Sequence, residues 1–216
     1  MSSNSSSSGS LVTAERHALA DALLAAGAAA PTLCEGWDVT DLAVHLVVRE
    51  RRPDASLGLL LPPLAGHTAR VSAGQAAAGL DAVVERFRSG PPPWSPFALP
   101  GVEGLANLAE FVVHHEDVRR AAGAGPRPDV PELQEAVWQR LPGVALMTLA
   151  RTRVPVVAVH ADGRRRVLWR GPHPVVLTGE PIELLLLLFG RRAVAQVDVG
   201  GPSLSVTRFR AASQGV

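Results

Sequence analysis

The chain has little of what disulfide-linked and membrane-spanning proteins need. Cys34 is the single cysteine, so no disulfide can form within the chain. The apolar run at residues 184–189 is far shorter than the roughly 20 residues that a membrane-spanning helix requires. Residues 1–10 are mostly Ser and lack the basic and apolar segments of a signal peptide. We therefore expect a disordered tail at residues 1–10, no membrane partner and a cytoplasmic location.

A dominant charge is also missing from the sequence. The chain has 21 basic and 20 acidic residues, and every basic residue is Arg, because the sequence contains no Lys. A balance this close to neutral gives no reason to expect a nucleic-acid partner or an anionic membrane surface. Hydrophobic residues make up 47% of the 216 residues. That share is enough for the core of one large domain or of two small ones.

Apolar periodicity divides the chain into two parts with different secondary structure. Up to about residue 150 the spacing predicts helices over residues 13–27, 38–52, 75–88, 104–122 and 132–149. Beyond residue 151, an apolar helix over 180–190 lies among segments typical of strands, namely 154–160, 166–170, 175–177, 193–199 and 204–209. We therefore predict an α+β fold with a helical bundle at residues 11–150 and a small α/β domain at residues 151–212.

One predicted helix carries polar side chains on an otherwise apolar surface. At about 100° per residue, Asn107, Glu110, His114 and Asp117 share one stripe, and Leu and Val cover much of the rest. A helix this apolar is normally buried, and a buried carboxylate is costly unless it is paired, hydrogen-bonded or bound to a metal. A Glu and a His four residues apart can offer two ligands to one ion. Many helices, however, carry such a pair only as a surface contact.

Other candidate residues have two interpretations each. His45, in the middle of the second predicted helix, is either a third metal ligand or a core histidine satisfied by Asp41 or a backbone carbonyl. Cys34 is either a reactive thiol near the site or a small buried residue. Asp117 either orients a metal ligand or forms an ion pair with Arg120 or Arg49. His115, about 100° around the helix from His114, either supports the site from outside or packs in the core.

Two segments resemble a known family. Residues 32–46, TLCEGWDVTDLAVHL, look like the signature of DinB-like four-helix-bundle proteins, and are most similar to the mycothiol-dependent maleylpyruvate isomerase type of actinobacteria. Residues 114–120, HHEDVRR, preceded by Glu110, resemble an uncharacterised actinobacterial branch described as metal-binding. The resemblance spans residues 11 to about 210. It implies a sterol-carrier-like domain at the C-terminal end.

The resemblance also implies a metal centre. In that family a His of the second helix joins a Glu and a His, four residues apart on a later helix, around a divalent metal, usually zinc. The matching residues here are His45, Glu110 and His114. Three protein ligands with one open position are typical of a catalytic metal, and in the isomerase relatives mycothiol acts as a thiol cofactor. The run from His115 to Asp117 departs from the isomerase pattern.

Two classes of function follow from these expectations, and the intact set of His45, Glu110 and His114 argues against a third, a degenerate relative whose site is empty. The first is a metal- and mycothiol-dependent enzyme that transfers a thiol to, or isomerises, a small electrophile, with that substrate or the thiol as its partner. The second is a non-catalytic module that binds a metal or a small ligand. A fourth protein ligand, such as His115 or Asp117, would favour the second class because it would close the coordination sphere. The sequence assigns no catalytic residue and no oligomeric state.

Overall fold

A computed structural model describes residues 3–56, 62–98 and 102–212 of the chain. The chain divides into two compact units, Met1–Gly125 and Pro126–Val216. The first unit is helical and the second combines helices with a four-stranded sheet, so the predicted α+β class is confirmed. Among the described residues, no helix is both long and apolar enough to cross a membrane.

The first unit contains the helices that carry the candidate site. Their bounds are α1 Ser3–Ala26, α2 Val39–Arg51, α3 Pro53–Ser56, α4 Ala65–Ala76, α5 Leu80–Arg88 and α6 Val102–Ala121. Helix α1 packs against α5 and α6, and α2 packs against α4 and α5. The centre of this unit is apolar and fully buried, with Leu19, Leu42, Phe87 and Phe111 at 0% exposure. Burial of these side chains is the main stabilising contribution to the unit.

Helix α1 begins at Ser3, inside the segment 1–10 that the sequence analysis assigns to a disordered tail. Its polar start is an extension of the amphipathic helix, and Thr13 Oγ1 donates a hydrogen bond to the Gly9 carbonyl one turn earlier. Among the side chains of α1 that the structure describes, which begin at Gly9, Val12 is the first in the core, with 0% exposure. The apolar pattern therefore marks where α1 enters the core, and not where the helix starts.

The bounds of α2 follow from its terminal residues. Asp38 Oδ1 accepts a hydrogen bond from Asp41 N at 2.9 Å, and Asp41 Oδ2 accepts one from Asp38 N at 3.3 Å. This reciprocal pair is a capping box, which satisfies two backbone donors at the helix start. Pro53 follows the last turn, where a helix is expected to stop. Both ends agree with the sequence prediction, and α2 thereby holds His45 in its second turn.

The single helix predicted at residues 75–88 is wrong. Helix α4 ends at Ala76 and α5 begins at Leu80, because the chain turns through Gly79 with φ 81°. A positive φ costs glycine little and other residues much more, so Gly79 permits the turn. The apolar spacing continues across this turn, and periodicity alone could not detect it.

The second unit is a small sheet with helices. Its elements are α7 Pro131–Thr148, β1 Val156–Val159, β2 Arg165–Trp169, β3 Val175–Thr178, α8 Pro181–Leu188, β4 Asp198–Gly200 and α9 Ser203–Ala212. The strand order is β2-β1-β3-β4, with β1 and β3 parallel and the outer pairs antiparallel. Helix α7 packs against α8 and β2, so it belongs to this unit. The division consequently falls after Gly125, whereas the sequence analysis places it at residue 150.

The strand predicted at residues 204–209 is wrong, because this segment forms helix α9. The alternation of apolar and polar residues suggested a strand with one buried face. In the structure Leu204 is 63% exposed and Phe209 only 2% exposed, so the alternating face is not buried. Val206 N donates to the Pro202 carbonyl, which establishes the helical hydrogen-bond pattern at the start of the segment.

Candidate metal centre

The three predicted metal ligands lie together in the first unit. Helix α2 carries His45, and α6 carries Glu110 and His114 one turn apart. The Nε2 atoms of His45 and His114 each lie 3.2 Å from Glu110 Oε1. Zinc with bonds of about 2.0–2.1 Å to nitrogen and oxygen holds tetrahedral ligand atoms roughly 3.3 Å apart. The donor spacing therefore fits one divalent ion.

The charge around Glu110 keeps it ready to act as a ligand. Burial alone would raise its pKa, but hydrogen bonds from His114 and His45 and the charge of Arg49 outweigh burial. The pKa of Glu110 therefore lies well below its ordinary value, and the side chain is a carboxylate. Arg49 Nε lies 3.7 Å from the same Glu110 oxygen. Glu110 is thus ionised before any cation arrives.

His114 is held from both sides of its ring. Its Nδ1 lies 2.9 Å from Asp117 Oδ2, and Asp117 is completely buried. Burial opposes a charge on His114, yet hydrogen bonds with Asp117, Cys34 and Glu110 raise its pKa well above the ordinary value. A carboxylate on the distal ring nitrogen is the arrangement that commonly orients a metal-binding histidine. Asp117 therefore fixes the direction in which His114 Nε2 points.

His45 has no comparable support. Its buried Nδ1 has no hydrogen-bond partner among the described residues. The ring instead lies 5.0 Å from the Trp37 ring and 5.3 Å from the His114 ring, measured between centroids. Burial, the largest effect, lowers its pKa, so His45 is neutral near pH 7. The core-histidine interpretation gave Asp41 as the partner of His45. Asp41 instead caps α2, and His45 Nε2 lies within hydrogen-bond distance of Glu110.

The group is open on one side. The side chains of His45 and Glu110 are 14% and 21% exposed, against 9% for His114. A cleft of about 140 Å³ beside His45 is lined by Trp37, Asp41, Val44, Val48, Thr68 and Ser72. This volume is small beside the roughly 300–1,000 Å³ of ordinary ligand pockets. The cleft can admit water or the reacting end of a small molecule.

A series of buried hydrogen bonds connects the three candidate ligands to the core. Asn107 Oδ1 accepts from Arg49 Nη1 at 2.5 Å, and Asn107 Nδ2 donates to Glu50 Oε1 at 3.2 Å. Glu50 forms a two-pronged ion pair with Arg16, at 2.6 and 2.7 Å, with side-chain exposures of 3% for Arg16 and 1% for Glu50. These hydrogen bonds hold Arg49 beside Glu110. The Arg16–Glu50 pair was not predicted, although Arg16 stands on the apolar face of α1 that also carries Val12, Leu19 and Leu23.

His115 and Glu116 face other partners than the three ligands. His115 Nδ1 lies 2.9 Å from Glu15 Oε1 of α1, and both side chains are buried. Glu116 accepts from Arg119 at 2.8 Å and from Arg120 at 2.6 Å, with Glu116 fully buried. The His115–Glu15 contact links α6 to α1, whereas both contacts of Glu116 lie within α6. They do not supply a fourth ligand to His45, Glu110 and His114.

A second group of donors lies on the other side of the His114 ring. Cys34 Sγ is 3.2 Å from Asp117 Oδ2 and 3.8 Å from His114 Nδ1, and Cys34 is half-buried. Among the described residues, two groups of three side chains could therefore hold a divalent ion, His45–Glu110–His114 and Cys34–His114–Asp117. The second group was not predicted, because Cys34 and Asp117 lie 83 residues apart in the sequence.

The chain was compared with known protein families, curated proteins and solved structures. No protein-family model, curated protein or solved structure matches the chain. The class of protein is therefore defined by the fold and the site, as an α+β protein with a candidate metal centre in its helical unit. The resemblance to DinB-like proteins therefore stays a prediction from the motifs at residues 32–46 and 110–120.

Proposed function

We propose that the first unit binds one divalent metal ion, zinc or a similar cation, through His45 Nε2, Glu110 Oε1 and His114 Nε2. The observation that carries the proposal is the meeting of both Nε2 atoms at one carboxylate oxygen, each at 3.2 Å. Two further observations support it. Asp117 orients the His114 ring, and Arg49 helps to keep Glu110 ionised.

The reaction we propose is a mycothiol-dependent thiol transfer to, or isomerisation of, a small electrophile. A bound metal with an open position lowers the pKa of a coordinated thiol and so supplies a thiolate at neutral pH. Support comes from the partly exposed side of the group and from the small cleft beside His45. In this proposal Trp37 and Val44 line the space for the electrophile, and Arg49 attracts negative charge to the open side. The proposal includes a DinB-like fold for the first unit and a sterol-carrier-like fold for the second. It also includes a cytoplasmic location.

Metal content is the direct test. The protein is purified without chelator, and its metals are quantified beside the variants His45→Ala and His114→Ala. We expect about one divalent ion per chain in the natural sequence and a loss of at least about tenfold in metal affinity in both variants. His17→Ala is the matched control, since His17 is an exposed histidine on α1 of the same unit. A full complement of metal in both site variants would refute the proposal, as would a natural protein that stays metal-free after reconstitution.

Thiol chemistry needs its own measurement. Thiolate formation by mycothiol is followed in the ultraviolet with the metal-loaded protein and with the His45→Ala variant. We expect the thiol to ionise at lower pH with the loaded protein and the shift to disappear in the variant. If the protein binds metal but leaves the thiol unchanged, the non-catalytic alternative is favoured.

A further inference from the structure

His114 directs its two ring nitrogens at two different sets of donors. Nε2 faces Glu110 at 3.2 Å, as the proposed metal site requires. Nδ1 faces Asp117 Oδ2 at 2.9 Å and Cys34 Sγ at 3.8 Å, and those two atoms are 3.2 Å apart. The second set contains a sulfur donor, which the first set lacks.

The distances in the second set fit a single ion. Bonds of about 2.3 Å to sulfur and about 2.0–2.1 Å to nitrogen and oxygen give tetrahedral ligand separations of roughly 3.3 Å for N and O and roughly 3.5 Å for pairs with sulfur. The three observed separations, 2.9, 3.2 and 3.8 Å, lie within roughly 0.4 Å of these values. The distance of 3.8 Å between Cys34 Sγ and His114 Nδ1 exceeds the separation expected for two atoms that share an ion by roughly 0.3 Å.

The loop that carries Cys34 is held in position. Leu33 N donates to the Asp117 carbonyl at 3.2 Å, which attaches the loop to α6 beside the cluster. Thr32 Oγ1 donates to the Trp37 carbonyl at 2.9 Å and accepts from Cys34 N at 3.1 Å. These hydrogen bonds therefore keep the Cys34 sulfur near Asp117 and His114. Asp117 is fully buried, while Cys34 is partly exposed, so a cation can reach the cluster from the cysteine side.

We propose that Cys34 Sγ, His114 Nδ1 and Asp117 Oδ2 form a second cation site, selective for thiophilic ions such as Cd²⁺, whose occupation excludes an ion from the His45–Glu110–His114 site. Thiolate ligands favour soft cations, whereas the nitrogen and oxygen donors of the first site take borderline and harder ones. On binding, the thiol proton and the proton on His114 Nδ1 leave to solvent, and bonds from the ion to sulfur, nitrogen and oxygen form. No electron transfer is involved.

The exclusion follows from the valence of imidazole. A neutral imidazole has one lone pair in the ring plane and one N–H, so His114 serves one ion at a time as long as it keeps one ring proton. With an ion at Nε2, the proton is on Nδ1 and Asp117 accepts it. With a soft ion at Nδ1, the remaining ring proton is on Nε2 and points at Glu110. The competition rests on the proposed function of the first site, whereas the existence of the thiol-containing site does not.

Cadmium is the probe for the thiol-containing site. Cd²⁺ is added to the full-length protein, and the thiolate-to-cadmium charge-transfer band is followed in the ultraviolet. We expect the band to saturate at about one Cd²⁺ per chain, to vanish in Cys34→Ser, and to need at least about tenfold more Cd²⁺ in Asp117→Asn. His45→Ala should keep the band. A band with the same Cd²⁺ dependence in Asp117→Asn, or no band in the natural protein, would overturn the second site and leave the first untouched.

Cobalt measures the competition, because Co²⁺ bound by nitrogen and oxygen donors absorbs in the visible region. Equilibrium dialysis with Cd²⁺ and Co²⁺ together should give a total of about one bound ion per chain. Two bound ions, with the cobalt and thiolate–cadmium spectra both present, would overturn the exclusion. Cobalt binding that survives His45→Ala without a thiolate charge-transfer band would instead count against the proposed function, so the two failures are distinguishable. Cys34→Ser and His45→Ala change partly exposed side chains, and circular dichroism checks that both variants are folded.

Discussion

The affinity of the His45–Glu110–His114 site for a divalent ion should rise with pH, because His114 is protonated in the metal-free protein. Both of its ring nitrogens face carboxylates, Glu110 at 3.2 Å and Asp117 at 2.9 Å, so both carry a proton. Burial opposes this charge, but the hydrogen bonds raise the pKa of His114 well above 6.5. A metal needs the Nε2 lone pair, so binding must expel one proton.

The size of the effect follows from counting protons. Glu110 is already ionised, and His45 is already neutral, because its pKa lies below 6.5. The release is therefore about one proton per ion, all of it from His114. From pH 6.5 upward the apparent affinity should rise about tenfold per pH unit, or about 1.4 kcal/mol, until the raised pKa of His114 is reached. Above that pKa the affinity should become constant.

The raised pKa of His114 also affects the folding stability of the metal-free protein. Here the direction is opposite, because stability falls as pH rises. A raised pKa in the folded state means that the stabilising contribution of His114 is complete below its unfolded pKa of 6.5 and is lost as pH rises through the folded pKa. Over this range the contribution of Glu110, whose pKa is lowered from 4.5, stays constant. The metal-free protein should thus lose stability as pH rises above 6.5, while stabilisation by the metal increases. The difference in melting temperature between loaded and stripped protein should widen.

Isothermal titration calorimetry with Zn²⁺, in buffers of different ionisation enthalpy, counts the released protons directly. Asp117→Asn is the informative variant, because it removes the carboxylate that most favours protonation of His114 and should reduce the release. Melting curves of loaded and stripped protein over the same pH range give the independent check. A natural protein whose metal affinity is flat from pH 6.5 upward would refute the assignment of a protonated His114.

Four further outcomes follow from single substitutions. Arg16→Ala removes the buried partner of Glu50 and should lower the free energy of unfolding by about 3–5 kcal/mol, measured by urea denaturation. Gly201→Ala puts a Cβ 2.8 Å from a backbone carbonyl at φ 114°, so it should destabilise the protein by about 1–3 kcal/mol in the same assay. Gly143→Ala, at an exposed and unobstructed position of α7, should instead stabilise it by about 0.5–1 kcal/mol. Asp117→Asn should weaken zinc binding about 10–100-fold, measured by competition with a chromophoric chelator.

Much of the candidate site could be predicted because its residues obey local rules. Glu110 and His114 are four residues apart on one helix, so helix geometry alone brings them together. The capping box at Asp38 and Asp41 could also be anticipated from the residue types, and it fixes the start of the helix that carries His45. Periodicity indicated the α+β class correctly.

The remaining features depend on contacts between segments distant in sequence. Cys34 reaches Asp117 only because its loop is hydrogen-bonded to α6, and Arg16 reaches Glu50 only when α1 lies against α2. No local pattern encodes such contacts. The error at residues 204–209 has a different cause, since alternation over six residues fits a strand or a short helix with one buried residue, here Phe209.

The polar side chains of α6 have a consequence for how the helices find their alignment. Apolar surfaces tolerate sliding, because one Leu or Val contact replaces another at little cost. On α6, Asn107 and Glu110 meet residues of α2, and His115 meets Glu15 of α1. A slip of one turn, about 5.4 Å, would separate all of these pairs at once and leave their charges buried. The polar side chains therefore favour a single axial alignment of α6 against its neighbouring helices. The two donor sets of His114 exist only in that alignment.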